Sequence, residues 1–484
     1  MPEKSLRNTT IKGVGWSFTD SILSQGVSFL VAIILARLLS PEEYGLIGIL
    51  MIFIVISESI VNSGLNSALI RKQGVTEEDF NTVFVTNLIL SFVMYGILFL
   101  CAPLISIFFE RPQLTSLLRV LGLVVILNAL TIVPLTKLTK AVNFKTITAC
   151  SFSSALVSGI VGISMAYMDY GVWALVGQQL SRQFTYAIAL WIANKWVPRL
   201  QFSQKSFQEL WGFGWKLLVS GLINTIWNEI YKVVIGKCYS PASLGQYTQA
   251  HTYANIFSSN LNSVIQKVSY PVLSKLQDEK ERLRQAYRQV IKVTMLVTFV
   301  FMFGLAGCAK NFIYVLIGEQ WLPCVGYLQI LCFSMALYPL HSLNLNMLQV
   351  QGRSDLFLKL EIIKKIIAVI PILLGIFIDI YWMLIGSVVT GWFAYYLNAY
   401  YSGPYLNYSV WAQIKDILPS MSLAIGMGLI VFLIGFIPLS PYALLPIQII
   451  AGAIITFCIC EISKLEEYIQ IKNIALSIIQ RGKK

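Results

Sequence analysis

Residues 40–63 read SPEEYGLIGILMIFIVISESIVNS, a mostly apolar segment that opens with Ser-Pro. Its apolar part is about 20 residues long, which is the length that an α-helix needs to cross the hydrocarbon core of a bilayer. Residues 240–263 read SPASLGQYTQAHTYANIFSSNLNS, and at this offset of 200 seven of the 24 positions are identical. Most of the identical residues are Ser, Pro, Gly and Asn, which general hydrophobic similarity does not explain. We interpret the two segments as equivalent membrane spans of an internal repeat.

The composition of the whole chain is that of a membrane protein. Of the 484 residues, 56% are hydrophobic and 12% are charged, and the mean hydropathy is +0.70; soluble domains carry about 25% charged residues. These values exclude a soluble enzyme, a disordered protein and a coiled coil, and they indicate an all-α polytopic membrane protein. The net charge of +13 would suggest nucleic acid in a soluble protein. Here it indicates basic loops at an anionic cytoplasmic leaflet, and no nucleic-acid partner is expected.

Turn signals and charged residues divide the chain into fourteen apolar runs, each long enough to cross a bilayer. Numbered 1 to 14, the predicted spans are Val14–Ala36, Tyr44–Leu65, Asn81–Phe108, Leu114–Leu135, Thr148–Met168, Val172–Ala193, Phe213–Ile235, Leu244–Ser269, Ala286–Ala309, Pro323–Leu345, Leu356–Ile378, Tyr381–Tyr401, Ile414–Ile437 and Tyr442–Glu461.

The distribution of basic residues predicts the topology. With the N-terminus in the cytoplasm, the cytoplasmic loops and termini hold 28 of the 36 Lys and Arg residues and the outer loops hold four. The other four lie within spans. Because cytoplasmic loops are enriched in Lys and Arg, we expect both termini on the cytoplasmic side.

The repeat divides the predicted fold into lobes. A second match, in which Trp173-x-Leu175-x-Gly177 recurs as Trp382-x-Leu384-x-Gly386, makes spans 1–6 and 7–12 two copies of a six-helix unit. Both copies begin on the cytoplasmic side, so they are parallel and related by an axis along the membrane normal. The predicted parts are an N-lobe (1–194), a cytoplasmic linker (195–212), a C-lobe (213–402), spans 13 and 14 (403–462) and a cytoplasmic tail (463–484). Transporters of this build bind their substrate between the halves and work by alternating access.

Polar residues within the membrane are concentrated in spans 1, 2, 7 and 8. Span 7 places Lys216, Ser220, Asn224, Asn228 and Lys232 four residues apart, which gives a slowly twisting stripe on one side of a helix. Because polar groups are costly in hydrocarbon, we expect them to line a hydrated cavity. The alternative is interhelical hydrogen bonding in a dry bundle. The predicted substrate-binding residues are Lys216, Arg182, Asn224, Asn228, Asn62, Asn262, Gln25 and His251.

The charged residues within the spans have two interpretations each. Lys216 and Arg182 are candidates for holding a phosphate, which Arg can bind in a bidentate manner. Alternatively, both side chains extend to the cytoplasmic interface. The candidates for binding a coupling ion, H⁺ or Na⁺, are Asp20, Glu58 and Glu229. Alternatively, each acid pairs with a basic neighbour, as the i, i+3 spacing of Glu229 and Lys232 allows.

The sequence lacks the common catalytic motifs. It has no Gly-x-x-x-x-Gly-Lys-Ser/Thr loop, no His-Glu-x-x-His and no Gly-x-Ser-x-Gly, and it contains only two histidines. We therefore expect transport without covalent chemistry, no enzymatic activity, and no cofactor apart from a coupling ion.

Several motifs resemble a known family. IKGVGW at residues 11–16 and ILARLLSPEEYG at residues 34–45 resemble the opening of bacterial polysaccharide exporters of the multidrug/oligosaccharidyl-lipid/polysaccharide (MOP) superfamily. RK at 71–72, TEEDFNTVF at 76–84 and KAVNFK at 140–145 resemble the branch that contains the colanic acid and teichuronic acid exporters. The resemblance covers the whole chain and the count of fourteen spans.

This resemblance implies a V-shaped bundle of two six-helix lobes with two extra C-terminal helices, in the cytoplasmic (inner) membrane. It implies a flippase that moves an undecaprenyl-pyrophosphate-linked oligosaccharide, an exopolysaccharide or O-antigen repeat unit, from the cytoplasmic to the outer leaflet. An ion gradient is the expected energy source. The expected partners are this lipid-linked oligosaccharide, membrane lipids and polysaccharide polymerase or assembly proteins.

Two alternative functions remain open at this point. A multidrug or small-cation exporter of the same superfamily would favour an acidic, aromatic-lined cavity, whereas the acids within these spans are matched by bases and amides. A non-transporting scaffold of a polysaccharide-assembly complex would not need polar stripes deep in the membrane.

Overall fold

The computed structural model describes residues 24–276, 279–351 and 353–473, without the side chains of residues 260–272, 275, 349 and 354. This part of the chain is helical and contains no strand. The helices are α1 (Ser24–Leu38), α2 (Pro41–Asn62), α3 (Leu65–Arg71), α4 (Glu77–Phe108), α5 (Gln113–Leu121), α6 (Leu123–Lys140), α7 (Phe144–Tyr167), α8 (Val172–Asn194), α9 (Gln204–Cys238), α10 (Pro241–Lys275), α11 (Lys280–Ile317), α12 (Cys324–Met335), α13 (Tyr338–Val350), α14 (Ser354–Ile367), α15 (Val369–Phe377), α16 (Ile380–Ser402), α17 (Val410–Ile434) and α18 (Pro441–Ser463).

Within the described residues, every predicted span falls on one helix or on two consecutive helices. Nine of these segments are long and apolar enough to cross a bilayer. The first predicted span is described only from Ser24, and the eleventh is broken into α14 and α15 at Ala368. The remaining three, α8 to α10, are long enough but carry the polar residues noted above. The chain is therefore a multi-pass helical membrane protein, and the count of fourteen stays a prediction.

Two helices begin with reciprocal caps between a side chain and the backbone. At α2 the Ser40 hydroxyl accepts from the Glu43 amide, and the Glu43 carboxylate accepts from the Ser40 amide at 2.6 Å. At α4 Thr76 and Asp79 form the same capping box. Such caps satisfy amides that lack an intrahelical partner, and they fix where each helix starts.

The contacts divide the chain into two compact units, residues 1–245 and 246–484. In the first unit α8 packs along α7 and α6, and α9 packs on α2 and α3. One of its cores, formed by Leu65, Leu69, Phe84, Val133 and Leu210, joins α3, α4, α6 and α9. The predicted lobe boundary at 195–212 remains a prediction, and the predicted first helix of the C-lobe, α9, belongs to the first unit by its contacts.

The two copies of the repeated Ser-Pro motif touch each other within the first unit. A Cβ atom placed on Gly45 would lie 1.7 Å from the Pro241 carbonyl oxygen, and one on Gly245 would lie 1.9 Å from the Pro41 carbonyl oxygen. The first turns of α2 and α10 thus approach at backbone distance, and the contact is reciprocal. Only glycine permits such a close approach of two backbones.

The second unit is built around α11, which packs along α17 and α18. Gly428 of α17 lies against the backbone of α11, where an added Cβ would be 2.8 Å from the Phe303 carbonyl oxygen. The buried Asn311 side chain donates to Gln448 at 2.9 Å, and Gln448 donates to the Val431 carbonyl at 2.7 Å. These satisfied polar contacts fix the two predicted extra helices, α17 and α18, onto α11.

Candidate functional site

The predicted polar stripe of span 7 lies on an exposed face of α9. Lys216, Ser220, Asn224 and Asn228 are all exposed, in the stretch of α9 between the buried residues Gly214 and Glu229. Gly214 meets Gly64, where an added Cβ would be 2.2 Å from the Gly214 carbonyl oxygen. In the described part of the chain, Lys216 has no ion pair or hydrogen bond. Its charge is available to a ligand.

The other predicted substrate-binding residues are distributed over both units. Gln25 of α1 and Asn62 of α2 are exposed in the first unit. His251 of α10 is half-buried in the second unit, with its ring 5.8 Å from that of Tyr247. The Asn262 side chain and the whole of Asp20 lie outside the described residues. The predicted site as a whole stays a prediction.

The structure does bring Glu58 and Arg182 together, at one polar cavity inside the first unit. This cavity has a volume of about 310 Å³ and lies among α2, α5, α6, α7 and α8. We call it the Glu58–Arg182 cavity. Its polar lining consists of Glu58, Asn128, Ser151, Ser154, Gln179, Arg182, Gln183 and Tyr186, and its apolar lining of Met51, Ile54, Leu121 and Val124.

Helix α8 supplies half of the polar side chains. Gln179, Arg182, Gln183 and Tyr186 are spaced i, i+3, i+4 and i+7, which places them on one face of a helix. Serine side chains of the facing helix α7 extend the polar surface, and Ser154 is buried there. The cavity is thus a polar face of α8 covered by residues of four neighbouring helices.

The two charged groups of the cavity do not pair with each other. The Glu58 carboxylate accepts a hydrogen bond from Asn128 Nδ2 at 2.9 Å. Arg182 is exposed, which opens the cavity to the surface of the unit, and it has no ion pair in the described part of the chain. The cavity therefore offers an anionic acceptor and a cationic donor together with several amides and hydroxyls.

Glu229, the third acid proposed for ion coupling, is engaged in an ion pair. Its carboxylate lies 2.7 Å from the ammonium nitrogen of Lys232, one helical turn further along α9. An i, i+3 ion pair of this kind was the alternative to ion binding by Glu229. The pair neutralises the charge of Glu229 locally.

The predicted site residues include none of the cavity's neutral polar side chains. Asn128 lies within span 4 as its one amide, so no pattern in the sequence marked it. The α8 residues did carry a signal, because Gln179, Arg182 and Gln183 share one helical face. The sequence does not show that α8 packs beside α2. This packing brings Arg182 and Glu58 to the same cavity.

A second polar cluster holds the predicted linker against the first two turns of α4. The Trp196 indole donates to Glu77 at 2.8 Å, the Arg199 amide donates to Asn81 at 3.0 Å, and the Ser203 amide donates to Thr82 at 3.1 Å. These contacts satisfy backbone donors of a segment without regular structure. The linker is thereby fixed on the first unit.

Lys72 completes this cluster with two ion pairs. Its ammonium nitrogen lies 3.0 Å from carboxylate oxygens of both Asp79 on α4 and Glu209 on α9. Burial acts to lower the pKa of Lys72, but the hydrogen bonds to Glu209 and Asp79 outweigh it and hold that pKa above its ordinary value. Lys72 therefore stays charged and joins the starts of α4 and α9.

Comparison with known proteins gives a consistent family assignment. A family model described as polysaccharide biosynthesis protein matches residues 34–326, which is more than half of the chain. The succinoglycan biosynthesis transport protein ExoT of Rhizobium meliloti (strain 1021) is 28% identical over 313 residues, 65% of this chain and 63% of that protein, or somewhat less than two thirds of its length. The teichuronic acid biosynthesis protein TuaB of Bacillus subtilis (strain 168) is 24% identical over 355 residues, 73% of each chain.

Solved structures show the same architecture. The lipid II flippase MurJ in an inward closed conformation matches with a TM-score of 0.72 at 16% identity, over 93% of this chain and 98% of that one. An inward-facing multidrug resistance MATE family transporter of the MOP superfamily matches with a TM-score of 0.60 at 17% identity, over 80% of this chain and 96% of that one. At these identities the likeness shows the fold. The predicted all-helical MOP-type fold is confirmed, whereas the repeat arrangement stays a prediction.

Proposed function

The chain belongs to the family of polysaccharide biosynthesis proteins, and on that premise we propose that it is a lipid-linked oligosaccharide flippase. It would carry an undecaprenyl-pyrophosphate-linked oligosaccharide from the cytoplasmic to the outer leaflet of the inner membrane, with both termini in the cytoplasm. The descriptions of ExoT and MurJ, as a transport protein and a flippase, support transport without covalent catalysis. The lobes 1–194 and 213–402 would alternate around the substrate.

The observation that carries this proposal is the exposed polar stripe of α9. Lys216, Asn224 and Asn228 are exposed on a helix of a chain that is 56% hydrophobic. A sugar chain and a diphosphate cannot cross hydrocarbon unaided, because their polar groups lose their hydrogen bonds to water. A polar stripe along a membrane helix replaces those hydrogen bonds, and the ammonium of Lys216 offers the diphosphate a counter-charge.

The reciprocal contact of the repeated motifs supports the two-copy architecture. Gly45 and Gly245 occupy equivalent positions in the repeat, and each meets the proline of the other copy. A two-fold relation between two copies produces reciprocal contacts of this kind. Such pseudo-symmetry is the usual basis of alternating access.

Energy would come from a proton or sodium gradient. The carboxylates proposed to couple it are those of Asp20, Glu58 and Glu229, and Glu229 would have to exchange its partner Lys232 for the ion. A charged group within the membrane is costly, which restricts such acids to functional or paired positions.

The test is translocation by purified protein in proteoliposomes, with a fluorescent undecaprenyl-pyrophosphate oligosaccharide as substrate and with imposed proton or sodium gradients. Lys216→Ala should reduce the initial rate about tenfold or more, because a charge-assisted contact to the diphosphate contributes about 1.5–3 kcal/mol. Lys205→Ala is the matched control, since Lys205 is also exposed and lies on the first turn of the same helix. Equal rates for all three proteins would contradict the role of Lys216 and leave the flippase proposal standing.

A further inference from the structure

The Glu58–Arg182 cavity combines features that are costly to place inside a helix bundle. It contains a carboxylate held by Asn128 at 2.9 Å and a guanidinium without an ion pair in the described residues. Glu58 is half-buried without a cationic partner, which costs stability because the carboxylate loses hydration. Sites that place charged groups in such a costly environment usually bind a ligand.

The charges of the cavity restrict the chemistry of that ligand. Glu58 and Arg182 border the same 310 Å³, so the repulsion of an ion by one is offset by the attraction of the other, and the cavity favours neither anions nor cations. A neutral polyhydroxyl compound suits both groups. Each of its hydroxyls can donate to the Glu58 carboxylate or accept from the Arg182 guanidinium, and the amides of Gln179 and Gln183 can do either.

The size and the walls of the cavity point to a single ring. Ligand sites usually have volumes of about 300–1,000 Å³, and this cavity lies at the lower end of that range. Four of its twelve lining residues are apolar, and the other eight are polar. A pyranose likewise presents both kinds of surface, with C–H groups on its faces and hydroxyls on its edge.

We propose that the Glu58–Arg182 cavity binds one sugar ring of the transported glycan, which rests on the proposed flippase function. Arg182 then contacts sugar hydroxyls, and Lys216 on the exposed stripe of α9 binds the diphosphate. The cavity also selects the sugar. An epimer that misplaces one hydroxyl removes the sugar contact of Glu58 or Arg182, and such a loss is penalised far more than a missing methylene group.

The experiment compares two lipids bound to full-length protein in nanodiscs. One is undecaprenyl pyrophosphate carrying the repeat unit extracted from the source organism, and the other is undecaprenyl pyrophosphate without sugar. The cavity variants are Gln179→Leu and Arg182→Gln. Their matched controls are Gln178→Leu, whose side chain lies on α8 outside the cavity, and Arg119→Gln, whose guanidinium lies over the Phe99 ring.

Wild-type protein should bind the glycan-bearing lipid more tightly than the sugar-free lipid. Both cavity variants should raise the Kd of the glycan-bearing lipid about tenfold or more and leave the Kd of the sugar-free lipid unchanged. The two control variants should match the wild type with both lipids. Size-exclusion profiles and thermal unfolding of each variant establish that it is folded. If Arg182→Gln does not fold, Glu58→Gln replaces it.

Three results would overturn the subsite. They are equal losses for both lipids in the cavity variants, unchanged binding of the glycan-bearing lipid, or equal binding of both lipids by the wild type. In each of these cases the flippase proposal survives, because the wild type still binds the lipid diphosphate. If the wild type binds neither lipid, the proposed function fails and the subsite fails with it.

Discussion

Lys72 shows how a single side chain positions the segment between α8 and α9. Its ammonium nitrogen lies 3.0 Å from both Asp79 and Glu209, so it connects the N-terminal turns of α4 and α9. The same turns of α4 bind the linker through Glu77, Asn81 and Thr82. Lys72 therefore holds the linker and the start of α9 on the first unit.

We predict that Lys72→Ala loosens this segment. The exposed pair with Glu209 contributes about 1 kcal/mol or less to the free energy of unfolding. The buried Asp79 carboxylate keeps its hydrogen bonds from Thr76 and Ser206 when Lys72 is removed, so global stability should fall only modestly. Local opening should increase more, and limited trypsin cleavage after Lys195 and Arg199 should become several-fold faster. Gln73→Ala, at an exposed neighbour in the same loop, is the control. Unchanged cleavage in Lys72→Ala would show that the linker is held without Lys72.

Single residues also show what sequence reasoning can find. Glu58 and Arg182 were identified from the sequence because a charge within an apolar helix is conspicuous. Their common cavity was not predicted, since it depends on α8 packing next to α2, α6 and α7. Asn128, which holds the Glu58 carboxylate, is a lone amide in an apolar helix and carries no signal of its own.

At the scale of elements, α9 and α10 illustrate the limits of a hydropathy criterion. Each has 35 residues and begins at a clear signal, but neither is apolar enough to qualify as a span by composition. The break between them was predictable from Lys237 and Pro241, but both helices extend beyond the predicted spans Phe213–Ile235 and Leu244–Ser269, and α9 begins within the predicted linker. Their polar character follows from the side chains of the stripe, which a uniformly lipid-facing helix would not carry.

The contact between the first turns of α2 and α10 gives a prediction about packing. Gly45→Ala would place a methyl group 1.7 Å from the Pro241 carbonyl oxygen, so the two backbones must separate. Overpacking of this kind costs about 1–3 kcal/mol, and we expect a measurably lower Tm in detergent.

The control for this substitution is Gly96→Ala in the middle of α4. An added Cβ there meets no atom within 4 Å. Since alanine favours helix over glycine by about 1 kcal/mol, this variant should be unchanged or slightly more stable. A Tm of Gly45→Ala equal to that of Gly96→Ala would contradict the close approach of α2 and α10.

At the scale of the whole molecule, the basic residues and the helices together predict a topology. With fourteen spans and a cytoplasmic N-terminus, the end of α11 lies outside and the segment after α18 lies inside. Lys310 and Lys464 mark these two ends, and both side chains are exposed. The helices were predictable from the lengths of the apolar runs and from the turn signals between them. The predicted orientation of the loops rests on the asymmetry of 28 cytoplasmic against four outer basic residues.

Cysteine accessibility in intact cells tests this topology. In a background with the exposed Cys238 and Cys458 changed to alanine, a membrane-impermeant maleimide should label Lys310→Cys and should not label Lys464→Cys. Permeabilised cells should label both. Labelling of Lys464→Cys in intact cells, or none of Lys310→Cys, would contradict the predicted orientation.

The proposed flippase moves a lipid-linked oligosaccharide across the membrane. The most direct measurement is the initial rate at which a fluorescent undecaprenyl-pyrophosphate repeat unit from the source organism appears in the opposite leaflet of proteoliposomes. Vesicles of the same lipid composition without protein provide the baseline. We predict a rate well above that baseline, increased by an imposed proton or sodium gradient. A rate equal to that of protein-free vesicles under every gradient, with correctly folded and inserted protein, would rule out the proposed flippase function.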